Sequence, residues 1–403
     1  TTSQIAALTT GQVINMTTAE TAAMRTDQVL ALWSDQAAAL NTANVRALGT
    51  SQLVALETGD LVALATANML TLTTTQTAAL MTAQVFALTS AQMIGLGTQN
   101  TATLGSAQLQ AIETANMAAL TSEGLRALRS LQVNALRTDQ IAALTTRQVA
   151  NLSSVQISGL STDQVVAIES ADIAALSTDN LRVLNSLQIR TLDSSQIVAL
   201  TTMQVSSLST ANASVLKDEQ ITALQTADVA ALSSSSLRAL GSAQLQALTT
   251  DQVLAMVTAQ FAAMSTFNVS SLGTVQVAAL YTKDIVAMST AQLIALTVDQ
   301  AVAVRTDQLV SLSSDQVVGM LRAVLTPILT TRQIAAMSTG QVINMITAET
   351  AAMRTDQVLA LRSDQVFAFN SANVRALGTS QLVALETGDL IALATANMLA
   401  LTT

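Results

Sequence analysis

The feature that most restricts the fold is a period of eight. From Thr1 to Met320 the chain reads as forty consecutive octads of the form x-[T/S]-x-[Q/N/D/E]-[V/I/L]-x-[A/small]-[L/M], as in "RTDQVLAL" at 25–32 and "RTDQIAAL" at 137–144. Position 2 is Thr or Ser in 38 of the forty, with Asp218 and Val298 the exceptions, and position 8 is aliphatic throughout. One continuous helix is excluded, because eight residues advance an α-helix by about 800° and the leucines would spiral over every face. A β-solenoid wants strict alternation of β-branched or aromatic residues, whereas Ala dominates position 7 beside Leu at position 8.

One short helix per octad satisfies every position. Thr or Ser at position 2 is the expected N-cap, its hydroxyl accepting an orphan backbone N–H. Asp at position 3 (Asp27, Asp35, Asp139, Asp163, Asp251, Asp307) meets the positive end of the helix dipole. Positions 5 and 8 share one face, with a small residue at 7 admitting a close neighbour. Position 1 then follows the helix end, where Gly49, Gly97, Gly105, Gly241, Gly273 and Gly378 suggest a left-handed stop and Arg25, Arg137 and Arg305 sit beside the negative end of the finished helix. Isolated helices need ~12–15 residues to persist, so these must stack on copies of themselves. The expected fold is an all-α solenoid, or superhelix, of very short helices.

A second period is seven octads, the step from Asp172 to Asp228 and from Asp228 to Asp284. Acid replaces Gln at position 4 in Asp60, Asp172, Asp228 and Asp284, with Asn116 in the missing place. Two octads earlier stand Asn44, Asn100, Asn212 and Asn268, and one octad later Arg126, Arg182 and Arg238 at position 6. Seven octads therefore return to an equivalent environment, for example after two turns of 3.5 octads. The marked rows would run as stripes along the axis, pairing between turns or with another chain; the plainer expectation is that they record unit duplication and line a solvated face.

A third, longer period carries 4–74 onto 333–403, which agree at all but ten of 71 positions, the differences including Trp33 to Arg362 and Ala38 to Phe367. This step is forty-one octads plus one residue. The extra residue falls in "LRAVLTPIL" (321–329), where Arg322 replaces the cap and Pro327 interrupts the backbone. The expected organisation is an octad solenoid over 1–320, a joint at 321–329 and the start of a second large repeat at 330–403. The joint reads as a kink or register shift, with partner binding as its alternative.

Little chemistry survives this reading. With neither His nor Cys, Ser-His and Cys-His pairs and the usual zinc sites are excluded, and carboxylates recur serially where a catalytic pair would be singular. In "KDEQ" (217–220) Asp218 takes the expected cap position. No calcium motif or glycine-rich phosphate loop is present, and neither enzyme activity, cofactor nor metal is expected. The triplets at Asn15, Asn151, Asn212 and Asn268 match the glycosylation pattern, as chance allows in a Thr/Ser-rich array. Trp33 and Tyr281 stand at position 1, outside the aliphatic face, as surface contacts. A net charge of −9 without a basic block argues against nucleic acid, and a polar residue in every octad argues against a membrane span. No signal peptide is read: the repeat is under way at residue 1 and still running at 403, as in a segment of a longer array.

The tandem unit, as in "LTTDQVLAM" (248–256) and "LRTDQIAAL" (136–144), resembles the octapeptide tracts of very large secreted or cell-surface bacterial proteins described as adhesin-like. The resemblance implies an extracellular structural role. The expected function is therefore a fibre, filament or stalk segment that associates with itself as a homo-oligomer or filament. The alternative is a superhelical module displaying a Thr/Ser lattice to polysaccharide, including surface glycans, or to ice.

Overall fold

The computed structural model describes residues 1–322, 326–393 and 397. Among these there is no strand: 47 α-helices, mostly of five or six residues, follow one another with a single 3-10 turn at Thr326–Ile328. The chain is an all-α solenoid with one short helix per octad. It divides into two units, residues 1–200 with helices from Thr2–Ala6 to Ser194–Ala199, and residues 201–403 with helices from Thr202–Ser206 to Thr387–Ala392.

The octad at 81–88 shows how the repeat folds. Met81 is extended (φ −69°, ψ 154°), Thr82–Ala87 is helical, and Leu88 is extended again (φ −58°, ψ 134°). Gln84, Val85 and Leu88, at positions 4, 5 and 8, are buried; positions 1, 2, 3 and 6 are exposed. Positions 5 and 8 form the core of both units, as the spacing predicts. Helices three octads apart pack together: Ser34–Ala38 on Thr58–Ala63 in the first unit, Thr226–Ala231 on Thr250–Ala255 in the second. The Gln84 amide instead reaches Leu53 and Leu56, four octads back. A turn thus takes between three and four octads, and the seven-octad period corresponds to two turns.

The small residue at position 7 lies against position 2 of an octad in the preceding turn. Ser271 hydrogen-bonds Ser242 across this contact at 2.7 Å. A Cβ on Gly95 would meet the Thr66 carbonyl oxygen at 2.6 Å, and one on Gly159 the Ser130 hydroxyl at 1.8 Å.

Two details of the expected capping are corrected. The N-cap is position 1, not position 2: Thr9, Thr73 and Thr249 cap helices that begin at Thr10, Thr74 and Thr250. Asp218 likewise opens its helix behind the N-cap Lys217. The reason is spacing, since position 1 and the Gln at position 4 are three apart and form a capping box. Gln Oε1 accepts the position-1 backbone N–H even where that residue has no capping side chain, as at Gly49 (2.5 Å) and Val257 (2.8 Å). This frees position 1 to vary. The position-1 glycines are correspondingly extended, not left-handed, as in Gly241 (φ −79°) and Gly273 (φ −71°). Gly97 is the exception: at φ +65° it occupies a region L side chains rarely adopt, and the octad helices on either side run together as Ser90–Thr103.

Of the expected joint, residues 323–325 and the Arg322 side chain lie outside the described residues. On its N-terminal side the helix Ser314–Arg322 extends to nine residues. The extra residue is absorbed without loss of the amide contacts. Gln333 donates to Ala301 and Val304, each one position further back than in an uninterrupted octad, where Gln140 donates to Leu109 and Ile112. Beyond the joint the ordinary separations return, Gln357 donating to Thr326 and Leu329 at 2.7 Å each.

Candidate functional site

The most ordered chemistry in the molecule is a buried amide ladder. Gln140 is fully buried, and its Nε2 donates to the carbonyls of Leu109 (2.9 Å) and Ile112 (2.7 Å), with a longer contact to Gln110 (3.4 Å). Its Oε1 accepts the Arg137 backbone N–H at 2.9 Å. One side chain therefore closes the start of its own helix and binds two carbonyls at the end of a helix four octads back, of which Leu109 also accepts the Ile112 backbone N–H. The same set recurs at Gln84, Gln164 and Gln196 in the first unit and at Gln252, Gln308 and Gln365 in the second.

The Asp and Asn rows sit inside this ladder. Asp60, Asp172, Asp228 and Asp284 are all buried, as are Asn44, Asn100, Asn212 and Asn268. The solvated face expected for them is therefore corrected: position 4 is buried in these octads, as it is at Gln84 and Gln140. Shorter than Gln by a methylene, Asp60, Asp228 and Asp284 pair with a position-2 hydroxyl three octads earlier. Ser34 donates to Asp60 at 2.8 Å and Thr258 to Asp284 at 2.6 Å. Asn116, in the same row, accepts from Ser90 at 2.6 Å and donates to the Leu88 carbonyl at 2.9 Å. Asn100 reaches Met69 and Leu72, and Asn268 reaches Leu240 at 3.3 Å, whereas the buried Nδ2 atoms of Asn44 and Asn212 find no partner among the described residues. Burial pushes the Asp228 carboxyl up, opposed by the Thr202 hydroxyl and the backbone at Gln225, and its Oδ2 has no partner among the described residues.

A carboxylate in this row lacks the donor that Asn116 supplies. Asp284→Asn is therefore expected to stabilise the chain by about 0.5–1.5 kcal/mol, one added hydrogen bond to the Met256 carbonyl. Urea denaturation at neutral pH measures it; a variant no more stable than the parent would show that the carboxylate is already satisfied.

Arg126, Arg182 and Arg238 lie elsewhere, exposed at position 6 and in no ion pair among the described residues. The structure does not bring them to the Asp row's buried carboxylates. Arginine at position 1 behaves differently. Arg137 forms a two-bond pair with Asp139 at 3.0 Å and hydrogen-bonds the Gln110 carbonyl in an earlier turn. Arg305, Arg354 and Arg362 repeat this with Ala278, Pro327 and Ala335. The negative helix end they meet thus belongs to a helix four octads back, not to the adjacent finished one, which corrects the sequence expectation. The Arg137 guanidinium, helped by the Thr114 hydroxyl, holds Asp139 down to about 2. Its folded value lies below the ordinary one, so the pairing is present at neutral pH and is lost as pH falls towards 2.

Of the glycosylation triplets, Asn212 and Asn268 are buried and Asn15 is exposed. Trp33 and Tyr281 are 66% and 50% exposed, with the Lys283 ammonium 5.5 Å from the Tyr281 ring centre. Among the described residues no helix is long and apolar enough to cross a membrane.

The ALTTAQ repeat model matches the chain at residues 53–90, 109–146, 165–202, 221–258 and 277–314, five segments that start seven octads apart. Their spacing coincides with the second period of the sequence, and this tract is a tandem repeat. No curated protein matches the sequence.

Proposed function

We propose that this tandem-repeat chain is a structural segment of an extracellular or cell-surface bacterial fibre, filament or stalk, that it associates with copies of itself, and that it performs no catalysis. The amide ladder carries this reading: the Gln octads of both units are held by the same contacts to other turns, so length is gained by adding octads without a new core. Charged residues make up only 11% of the chain, which leaves little repulsion between neighbours. Large aliphatic side chains at position 3, among them Leu131, Val155, Met203 and Val275, stand 69–82% exposed. The register supports this reading over a flat hydroxyl lattice. A turn is not a whole number of octads, and the position-2 hydroxyl of Ser34 meets position 4 of a later helix rather than another position 2.

Electron microscopy of the purified chain at neutral pH tests the proposal. Uniform fibres with an axial period equal to a whole number of seven-octad units are expected; molecules that stay dispersed at high concentration would overturn it. Because Arg126, Arg182 and Arg238 are exposed and in no ion pair among the described residues, reversing all three to Glu is expected to weaken association, read as a higher concentration threshold for light scattering. An unchanged threshold removes that row from the interface.

A further inference from the structure

We propose that the cavity beside Trp33 binds an arginine side chain presented by another polypeptide. The cavity, about 580 Å³, lies within the first unit and is lined by Ala6, Trp33, Ser34, Glu57 and Asp60 among others. None of its lining residues is basic. Asp60 is 5% exposed with Oδ1 held by Ser34, while Glu57 takes part in no ion pair among the described residues.

What belongs there is shown by equivalent octads of the same chain. At Arg137, Arg305, Arg354 and Arg362, position 1 supplies a guanidinium that pairs with the Asp two positions on and with a carbonyl of an earlier turn. Arg362 is the direct counterpart of Trp33 in the second large repeat; its partners Asp364 and Ala335 correspond to Asp35 and Ala6. In the first copy the cation is replaced by an indole, yet Asp35 remains and Ala6 lines the cavity. Asp35 has no ion pair among the described residues. The octad thus keeps the acceptors of a guanidinium and has lost the guanidinium, and in its place stands an exposed Trp, the aromatic ring that attracts cations most strongly. A planar guanidinium matches this set better than an ammonium, because it can pair with a carboxylate through two bonds while stacking on the indole. The proposal stands independently of fibre formation.

Trp33 is the sole tryptophan in the sequence, so its fluorescence reports on this site alone. Titration of the full chain with N-acetyl-L-arginine amide is expected to give a saturable change. N-acetyl-L-norleucine amide, which lacks the charge, should bind at least about tenfold more weakly. Asp35→Asn and Glu57→Gln are expected to weaken the arginine probe while leaving the thermal transition in place. Trp33→Arg, which restores the residue of the second copy, should abolish binding measured by calorimetry, because the site fills itself. Equal response to norleucine amide, tighter binding of glucosamine than of the arginine probe, or undiminished binding by both Asp35→Asn and Trp33→Arg would overturn the assignment.

Discussion

Gln140→Leu is expected to destabilise the chain by about 3–5 kcal/mol, although it replaces a polar side chain by an aliphatic one of similar length in a buried position. The Ile112 carbonyl and the Arg137 backbone N–H lose their partner, each orphaned group costing about 1–3 kcal/mol, and the Leu109 carbonyl keeps only the Ile112 backbone N–H at 3.2 Å. Leucine recovers part of this through apolar burial, which keeps the total below the sum. Gln140→Asn separates the two ends of the amide. At Asn116 and Asn180 the shorter side chain still reaches the position-8 carbonyl four octads back, at 2.9 and 2.8 Å, so the asparagine variant should lose only about 1–2 kcal/mol. Urea denaturation gives the overall loss, and exchange protection of the Arg137 amide hydrogen reads the broken capping bond directly. A leucine variant within about 1 kcal/mol of the parent would mean that water enters and satisfies the carbonyls, and the ladder would not be what binds the turns.

Much of this architecture is legible in the sequence, and the gaps have physical causes. The core at positions 5 and 8 and the small residue at 7 follow from helical spacing, and the two-turn superperiod follows from Asp60, Asp172, Asp228 and Asp284. The capping register was legible too but needed a different pair. Position 1 and Gln at position 4, as in "TTDQ" at 249–252, have the three-residue separation of a capping box; position 2 and Gln do not. Thr stands so often at both positions 1 and 2 that hydroxyl composition alone does not separate them. That the Gln rows hydrogen-bond between turns is legible in their repetition, but the burial of Gln is not, because the carbonyls that satisfy it lie four octads away and no local pattern marks them. The Arg137 contact to Gln110 is hidden for the same reason. Its motif "RTDQ" shows the Arg and Asp, and only the stacking of turns supplies the third partner.

Gly95→Val is expected to cost at least the upper end of the ~1–3 kcal/mol range typical of overpacking, and Gly159→Ala less than about 1 kcal/mol, although both change position 7 of an octad. The difference lies in which atom must yield. At Gly95 a Cβ would come within 2.6 Å of the Thr66 backbone carbonyl and 3.1 Å of the Met69 Cβ, neither of which can rotate away. Relief requires Ser90–Thr103 to draw back from Thr66–Thr71. That movement would also strain the Gln92 amide, which is in the displaced helix and donates to Leu61 and Leu64 at 3.0 Å each. Valine adds two methyl groups to the same clash. At Gly159 the nearest atom is the Ser130 hydroxyl, which can turn aside, and its next contacts are 3.2 and 3.4 Å away. Thermal denaturation of both variants decides the matter. Because valine is larger than alanine, Gly95→Ala is measured beside them, and equal losses for the two alanine variants would show that side-chain volume at position 7 sets the tolerance. A much larger loss for Gly95→Ala than for Gly159→Ala would show that the limit is the approach of one turn's backbone to the next, which is the distance the amide ladder also needs.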